Sequence, residues 1–137
     1  MRAACCCFLL LTTLVGCKPA PMTNTVVTQA LSPDGKSSAL LVDRHYQAAR
    51  MSDEFFLIVI SGSQSADEAI AARHIGDSAA LVATWAGKVQ LHWQSDDALL
   101  VTCDSCGLEA INISKKLDHV GSSKIVYHGF PAHIANE

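Results

Sequence analysis

The sequence predicts an all-β fold, a small antiparallel sandwich or open barrel of about seven short strands with at most one short helix. Short apolar or alternating segments recur about every dozen residues between positions 26 and 130, and turn-forming residues separate them. No segment with helical periodicity is long enough to connect parallel strands. This spacing is typical of antiparallel sandwiches and barrels.

The first two predicted strands form a hairpin. Residues 26–31 are a short run rich in β-branched side chains, and residues 38–45 begin with Ala-Leu-Leu-Val. Between them stands Ser-Pro-Asp-Gly-Lys at positions 32–36, in which proline presets φ, aspartate can bond its own backbone and glycine accepts a positive φ. The pattern predicts a tight turn that closes the hairpin.

The most apolar run of the chain is predicted to be the central strand. Residues 54–60 read Glu-Phe-Phe-Leu-Ile-Val-Ile, without the alternation of a strand that has one wet face. Farther on, Ser65 and Glu68 have the spacing of a helix capping box, with alanine-rich residues after them. They indicate either a two-turn helix or an irregular loop between strands.

The second half of the chain adds further strands. Residues 79–85 form a candidate strand, and residues 88–94 alternate so that Val89, Leu91 and Trp93 share one face. A turn at 95–97 leads into a returning strand at 98–103. Two more strands are predicted at 110–115 and 124–130, before a tail at 131–137.

The N-terminal segment has the form of a secretion signal. Arg2 precedes 13 mostly apolar residues, too short a run to span a bilayer, which takes about 20 residues. The run ends in Leu-Val-Gly-Cys at positions 14–17, which resembles the lipobox of bacterial lipoproteins. The resemblance implies cleavage before Cys17 and attachment of diacylglycerol and fatty acid, such as palmitate, to that cysteine. An ordinary cleaved signal peptide or a short N-terminal anchor is the alternative.

This resemblance predicts the domain organisation and the location. Residues 1–16 would be a signal peptide, 17–25 a lipidated tether rich in proline and small residues, and 26–130 a single β domain. Several acyl chains hold a soluble domain firmly at a membrane, so the membrane is the predicted partner through Cys17. Lys18 is not the aspartate that resembles an inner-membrane retention signal. We therefore expect a protein in the bacterial cell envelope that faces the periplasm, at the outer rather than the inner membrane.

The charge of the chain argues against nucleic acid as a partner. The formal net charge is −3, and beyond residue 16 lie all 13 acidic residues but nine of the ten basic ones. A protein that binds the phosphate backbone needs clustered lysine and arginine, which the sequence lacks. For a domain in the cell envelope, an envelope protein or a glycan is an expected class of partner, and no motif identifies which.

Cys103 and Cys106, separated by Asp-Ser, allow three interpretations. A tight turn would bring their Cα atoms within the disulfide range, and an oxidising periplasm would close the bond. A redox-active dithiol would need Cys103 at a helix N-terminus, which lowers the thiol pKa. A metal site would need further ligands, and His128 and His133 have a suitable spacing. The disulfide interpretation is favoured because strand-like sequence surrounds the pair.

No other motif predicts catalysis, a metal or a cofactor. The sequence lacks the common motifs of serine hydrolases, zinc proteases and nucleotide-binding loops. The adjacent carboxylates Asp53 and Glu54, and Asp96 and Asp97, are interpreted as turn residues. The predicted function is a non-catalytic binding or envelope-structural module, with a thiol-disulfide redox protein using Cys103 and Cys106 as the alternative.

The turn at 32–36 carries a further resemblance. Together with Trp-Gln-Ser-Asp-Asp at 93–97, it resembles the strand-turn-strand pattern of β-propeller blades, but about 120 residues cannot form the four blades that a propeller needs. The early Ser-Pro-Asp-Gly-Lys hairpin is also similar to that of small uncharacterised bacterial all-β proteins. That similarity implies the fold class and no activity.

Overall fold

The protein is an all-β sandwich, as the sequence predicts. Its structure, a computed structural model, describes residues 21–48, 51–62, 64–71, 74–84, 88–106 and 111–131. The strands within these ranges are β1 (Met22–Leu31), β2 (Ser37–Tyr46), β3 (Glu54–Ser61), β4 (Leu81–Thr84), β5 (Val89–Ser95), β6 (Ala98–Cys103), β7 (Asn112–Lys116), β8 (His119–Val120) and β9 (Ser123–His128). They form a five-stranded sheet in the order β1-β2-β3-β4-β7 and a four-stranded sheet in the order β5-β6-β9-β8.

Two short helices, α1 (Ala66–Ala71) and α2 (Ile75–Ser78), connect β3 to β4. The predicted capping box begins α1, because the Ser65 hydroxyl accepts the backbone N–H of Glu68 and the Glu68 carboxylate accepts that of Ser65. No helix in the described ranges is both long and apolar enough to cross a membrane.

The β1–β2 hairpin is longer than the sequence indicated. The turn at 32–36 is confirmed, with Gly35 at φ +70° and the Asp34 carboxylate bonded to the Ser32 hydroxyl and the Lys36 N–H. However, β1 begins at Met22, which pairs with Tyr46, so residues 22–25 belong to a strand rather than to a tether. The polar side chains of residues 23–25 hid this strand in the sequence.

The central position predicted for residues 54–60 is confirmed, because β3 is the third of five strands. The side chains of β3 pack into two separate hydrophobic cores. Leu57 is buried between the sheets, while Phe56, Ile58 and Ile60 pack on the outer face against α1 and α2. The helices therefore cover the five-stranded sheet on its second face, which explains the uninterrupted apolar run.

The four-stranded sheet has one buried and one wet face. In β5, Val89 and Trp93 are buried and Leu91 is half-buried, whereas Gln90 and His92 are exposed, as the alternation predicts. One pairing departs from the prediction of a wholly antiparallel fold: β6 and β9 run parallel. After β6 the chain crosses to β7 in the other sheet, and it turns back through the two-residue β8 before β9 begins.

The two ends of the sandwich carry different parts of the chain. We call one end the turn end; it holds the turns at 32–36 and 96–97, where the Asp34 N–H donates to an Asp96 carboxylate oxygen at 2.9 Å. The other, the N-terminal end, holds Met22 and the end of β2. The start of β3, which pairs with β2 there, lies at the same end.

Candidate functional site

Cys103 and Cys106 lie where β6 ends, on the side of the four-stranded sheet away from the turn at 96–97. Cys103 is the last residue of β6 and pairs with Val89, and residues 104–106 form a bend and a turn. The structure joins the two cysteines through a disulfide with Cα atoms 5.6 Å apart. Cys103 therefore ends a strand rather than opening a helix, so no helix N-terminus is present at this cysteine to lower a thiol pKa.

Both cysteines of the disulfide are almost wholly buried among the described residues. The exposed fractions of Cys103 and Cys106 are 4% and 2%, and both side chains belong to the core between the sheets. Gly129, with φ +81°, lies against the backbone of Cys103. A Cβ at position 129 would overlap the Cys103 carbonyl oxygen. An attacking thiolate must reach one sulfur directly, and both cysteine side chains are almost wholly buried.

Among the described residues, no further metal ligands are grouped with the cysteines. His128, the last residue of β9, is exposed and pairs with Thr102, while His133 lies outside the described residues. Within the described ranges, no group of three histidine, cysteine, aspartate or glutamate residues is arranged to hold a metal ion.

The adjacent carboxylates make hydrogen bonds with neighbouring loop and strand residues. Asp96 and Asp97 occupy the β5–β6 turn as predicted, and an Asp97 oxygen accepts the Ser95 hydroxyl at 2.6 Å. Asp53 pairs with the His45 imidazole at 2.7 Å, and Glu54 accepts the hydroxyl of Tyr46. Glu54 is the first residue of β3, so its interpretation as a turn residue is wrong.

Two buried polar groups on β2 were not singled out from the sequence. The guanidinium of Arg44, 6% exposed, lies 4.9 Å from the centroid of the Phe56 ring, and its Nε donates to Asn24. Its Nη2, like Oδ1 of the neighbouring Asp43, is buried without a hydrogen-bond partner. Burial, and then the Asp53 carboxylate, raise the pKa of Asp43 above its usual range. The adjacency of two opposite charges at the end of an apolar strand was the available signal.

A groove of about 680 Å³ lies between the two sheets at one side of the sandwich. It separates β1 and β5, which are the edge strands of their sheets. The lining residues include Val27, Thr28, Leu41, Phe55, Val89 and Leu91. Toward the turn end the strands approach each other, because the Trp93 indole N–H donates to the Ala30 carbonyl at 3.0 Å. Val27 is the extra residue of a β-bulge, so the edge of β1 is irregular at the groove.

The chain matches no protein-family model, no curated protein and no solved structure. The signal-like segment and Cys17 lie outside the described residues.

Proposed function

We propose that the protein is a lipid-anchored lipoprotein of the bacterial cell envelope, whose β sandwich acts as a non-catalytic binding or envelope-structural module. The lipobox-like sequence that ends at Cys17 supports the anchor. Lys18 favours the outer membrane, with the domain in the periplasm.

The burial of the Cys103–Cys106 disulfide carries the non-catalytic part of the proposal. These cysteines are the one pair in the proposed mature chain that could perform redox chemistry. Both lie in the core, at the end of a strand and against the backbone of Gly129. A bond in that position cross-links the end of β6, and an oxidising compartment would maintain it.

Fractionation of cells that express the full chain tests the anchor. The wild-type protein is expected in the membrane fraction, and Cys17→Ala is expected to lose both its membrane association and the incorporation of labelled fatty acid. Cys7→Ala is the matched control, because it removes a cysteine from the signal segment and leaves the lipobox intact. A Cys17→Ala protein that stays in the membrane fraction contradicts the proposal.

Thiol titration tests the redox alternative. The folded protein is expected to show no free thiol at positions 103 and 106 and to resist mild reductant until denaturant is added. Rapid and reversible reduction of the folded protein, with a depressed thiol pKa, would instead support a thiol-disulfide enzyme. Mass spectrometry after alkylation distinguishes the two results.

A further inference from the structure

The ordered sheet begins very close to the proposed lipidation site. The Pro21 carbonyl accepts the backbone N–H of Gln47 at 3.0 Å, and Met22 pairs with Tyr46. The fold is therefore fixed from residue 21 onward. Residues 18–20 are all that separates Cys17 from it.

Covalent geometry limits how far the domain can stand from the lipid. Consecutive Cα atoms are about 3.8 Å apart, so Cys17 and Pro21 are separated by about 15 Å at most. The ten residues of β1 then extend about 30 Å toward the turn end. The tether is thus shorter than the domain, and the N-terminal end must stay near the bilayer surface.

The N-terminal end carries exposed apolar side chains. Met22 and Met51 are large apolar residues with exposed fractions of 40% and 50%. Both lie beside the end of β2, since Met51 bonds back to Ala48 through its N–H. Methionine is flexible and apolar, and it adapts to irregular apolar contacts such as a lipid surface.

The turn end also carries an exposed apolar side chain, that of Leu31 with an exposed fraction of 65%, but it lies beside a cluster of carboxylates. Asp34, Asp96 and Asp97 line a surface depression there, and hydrogen bonds from the Lys36 N–H and the Ser32 hydroxyl lower the pKa of Asp34. Charged carboxylates are repelled by a membrane surface with anionic headgroups. The N-terminal end has carboxylates as well, but those of Asp53 and Glu54 are bonded to the His45 ring and the Tyr46 hydroxyl. A domain lying on its side would bring the carboxylates of the turn end toward the membrane surface.

We propose that the N-terminal end of the sandwich, with Met22 and Met51, rests on the phospholipid surface, and that the turn end faces away from the membrane. This orientation depends on the proposed lipidation of Cys17. It makes the turn end the part of the domain that is open to partners in the periplasm.

Fluorescence quenching in vesicles tests the orientation. The full lipidated protein, as Met51→Cys or Lys36→Cys, would carry one environment-sensitive label in vesicles of phosphatidylethanolamine and phosphatidylglycerol with spin-labelled headgroups. Lys36 is exposed at the turn end and provides the matched position. We expect at least threefold stronger quenching at position 51 than at position 36. Equal quenching, or stronger quenching at position 36, overturns the orientation.

Two further measurements separate this proposal from the anchor itself. Flotation of the same samples reports anchoring: protein that does not float refutes the lipid anchor and the orientation with it, whereas floating protein with equal quenching refutes the orientation alone. Insertion of twelve glycine and serine residues after Lys18 is expected to reduce quenching at position 51 by at least half. Unchanged quenching would mean that tether length does not hold this end at the surface, which contradicts the proposal.

Discussion

The two sheets of the sandwich differ in how neighbouring residues along a strand are buried. In the five-stranded sheet, consecutive residues of β2 and β3 are buried, since one face meets the other sheet and the second meets the helices. In the four-stranded sheet, buried and exposed residues alternate, as in β9. An apolar run therefore marks a strand covered on both faces and an alternating run marks one covered on a single face. The same difference explains why Asp43 and Arg44, adjacent on β2, both carry buried polar atoms without partners.

The largest effect is expected from truncating neighbouring residues in each sheet. Leu57→Ala and Ile58→Ala should each lower the free energy of unfolding by about 2–5 kcal/mol, because both side chains are buried, on opposite faces of β3. In β9, Ile125→Ala should cost a similar amount, while Val126→Ala, at an exposed position, should cost about 0.5 kcal/mol. Urea denaturation measures all four variants. An Ile58→Ala protein as stable as Val126→Ala would mean that the helices do not cover the five-stranded sheet.

This contrast also determines how much of the fold was predictable. The apolar run at 54–60 and the alternation at 88–94 each indicated which residues are buried. The turn at 32–36 and the Ser65–Glu68 capping box were also predictable, because both depend on local hydrogen bonds. The strand at residues 22–25 was not predictable, because three of its four side chains are polar and it lies at the edge of the sheet. Likewise β8 and α2 are too short to show a period, and the parallel β6–β9 pairing depends on where distant segments cross.

The candidate site was predictable only in part. The spacing of Cys103 and Cys106 indicated a disulfide across a turn, but their burial depends on the other sheet and on Gly129, which no local pattern connects to them. The buried Arg44 was missed for a similar reason. Its environment is assembled from Asn24, Phe56 and the strand β2, which are remote in sequence.

Two glycines near the ends of β9 offer a second test of packing in the four-stranded sheet. Gly121 and Gly129 both have positive φ, so replacing either by alanine should cost about 1–2 kcal/mol. Gly129→Ala should cost more than Gly121→Ala, because its Cβ would overlap the Cys103 carbonyl, whereas nothing lies within 4 Å of a Cβ at position 121. Thermal and urea denaturation compare the two. Equal costs would contradict the close approach of Gly129 to the disulfide.

Loss of the disulfide should have a moderate effect. The loop it closes is short, with a sequence separation of three, so the chain-entropy contribution is about 2 kcal/mol. Replacement of both Cys103 and Cys106 by alanine should lower the free energy of unfolding by about that amount and leave the circular-dichroism spectrum of a β protein. The wild-type protein unfolded in reductant is the matched comparison. If the protein failed to fold without the disulfide, the bond would contribute more to stability than its position within one sheet implies.

The smallest effect is expected at Asp43, in the sheet that is covered on both faces. Its pKa is raised in the folded state, so its charged form disfavours folding above that pKa, and the penalty disappears as the pH falls through it toward the ordinary value of 3.8. Asp43→Asn should therefore raise Tm at pH 7, and the gain over wild type should shrink toward pH 4. Asp34→Asn, at the exposed turn, should have the opposite sign, since the pKa of Asp34 is lowered. Equal behaviour of the two variants across this pH range would contradict the partial burial of Asp43.

The central claim, that Cys17 anchors this sandwich to a membrane, is tested most directly by the intact mass and N-terminal fragments of the protein extracted from membranes. We predict a chain that begins at Cys17 and carries diacylglycerol on its sulfur, with residues 1–16 removed. A chain that retains those residues, or begins elsewhere with an unmodified Cys17, would contradict the account.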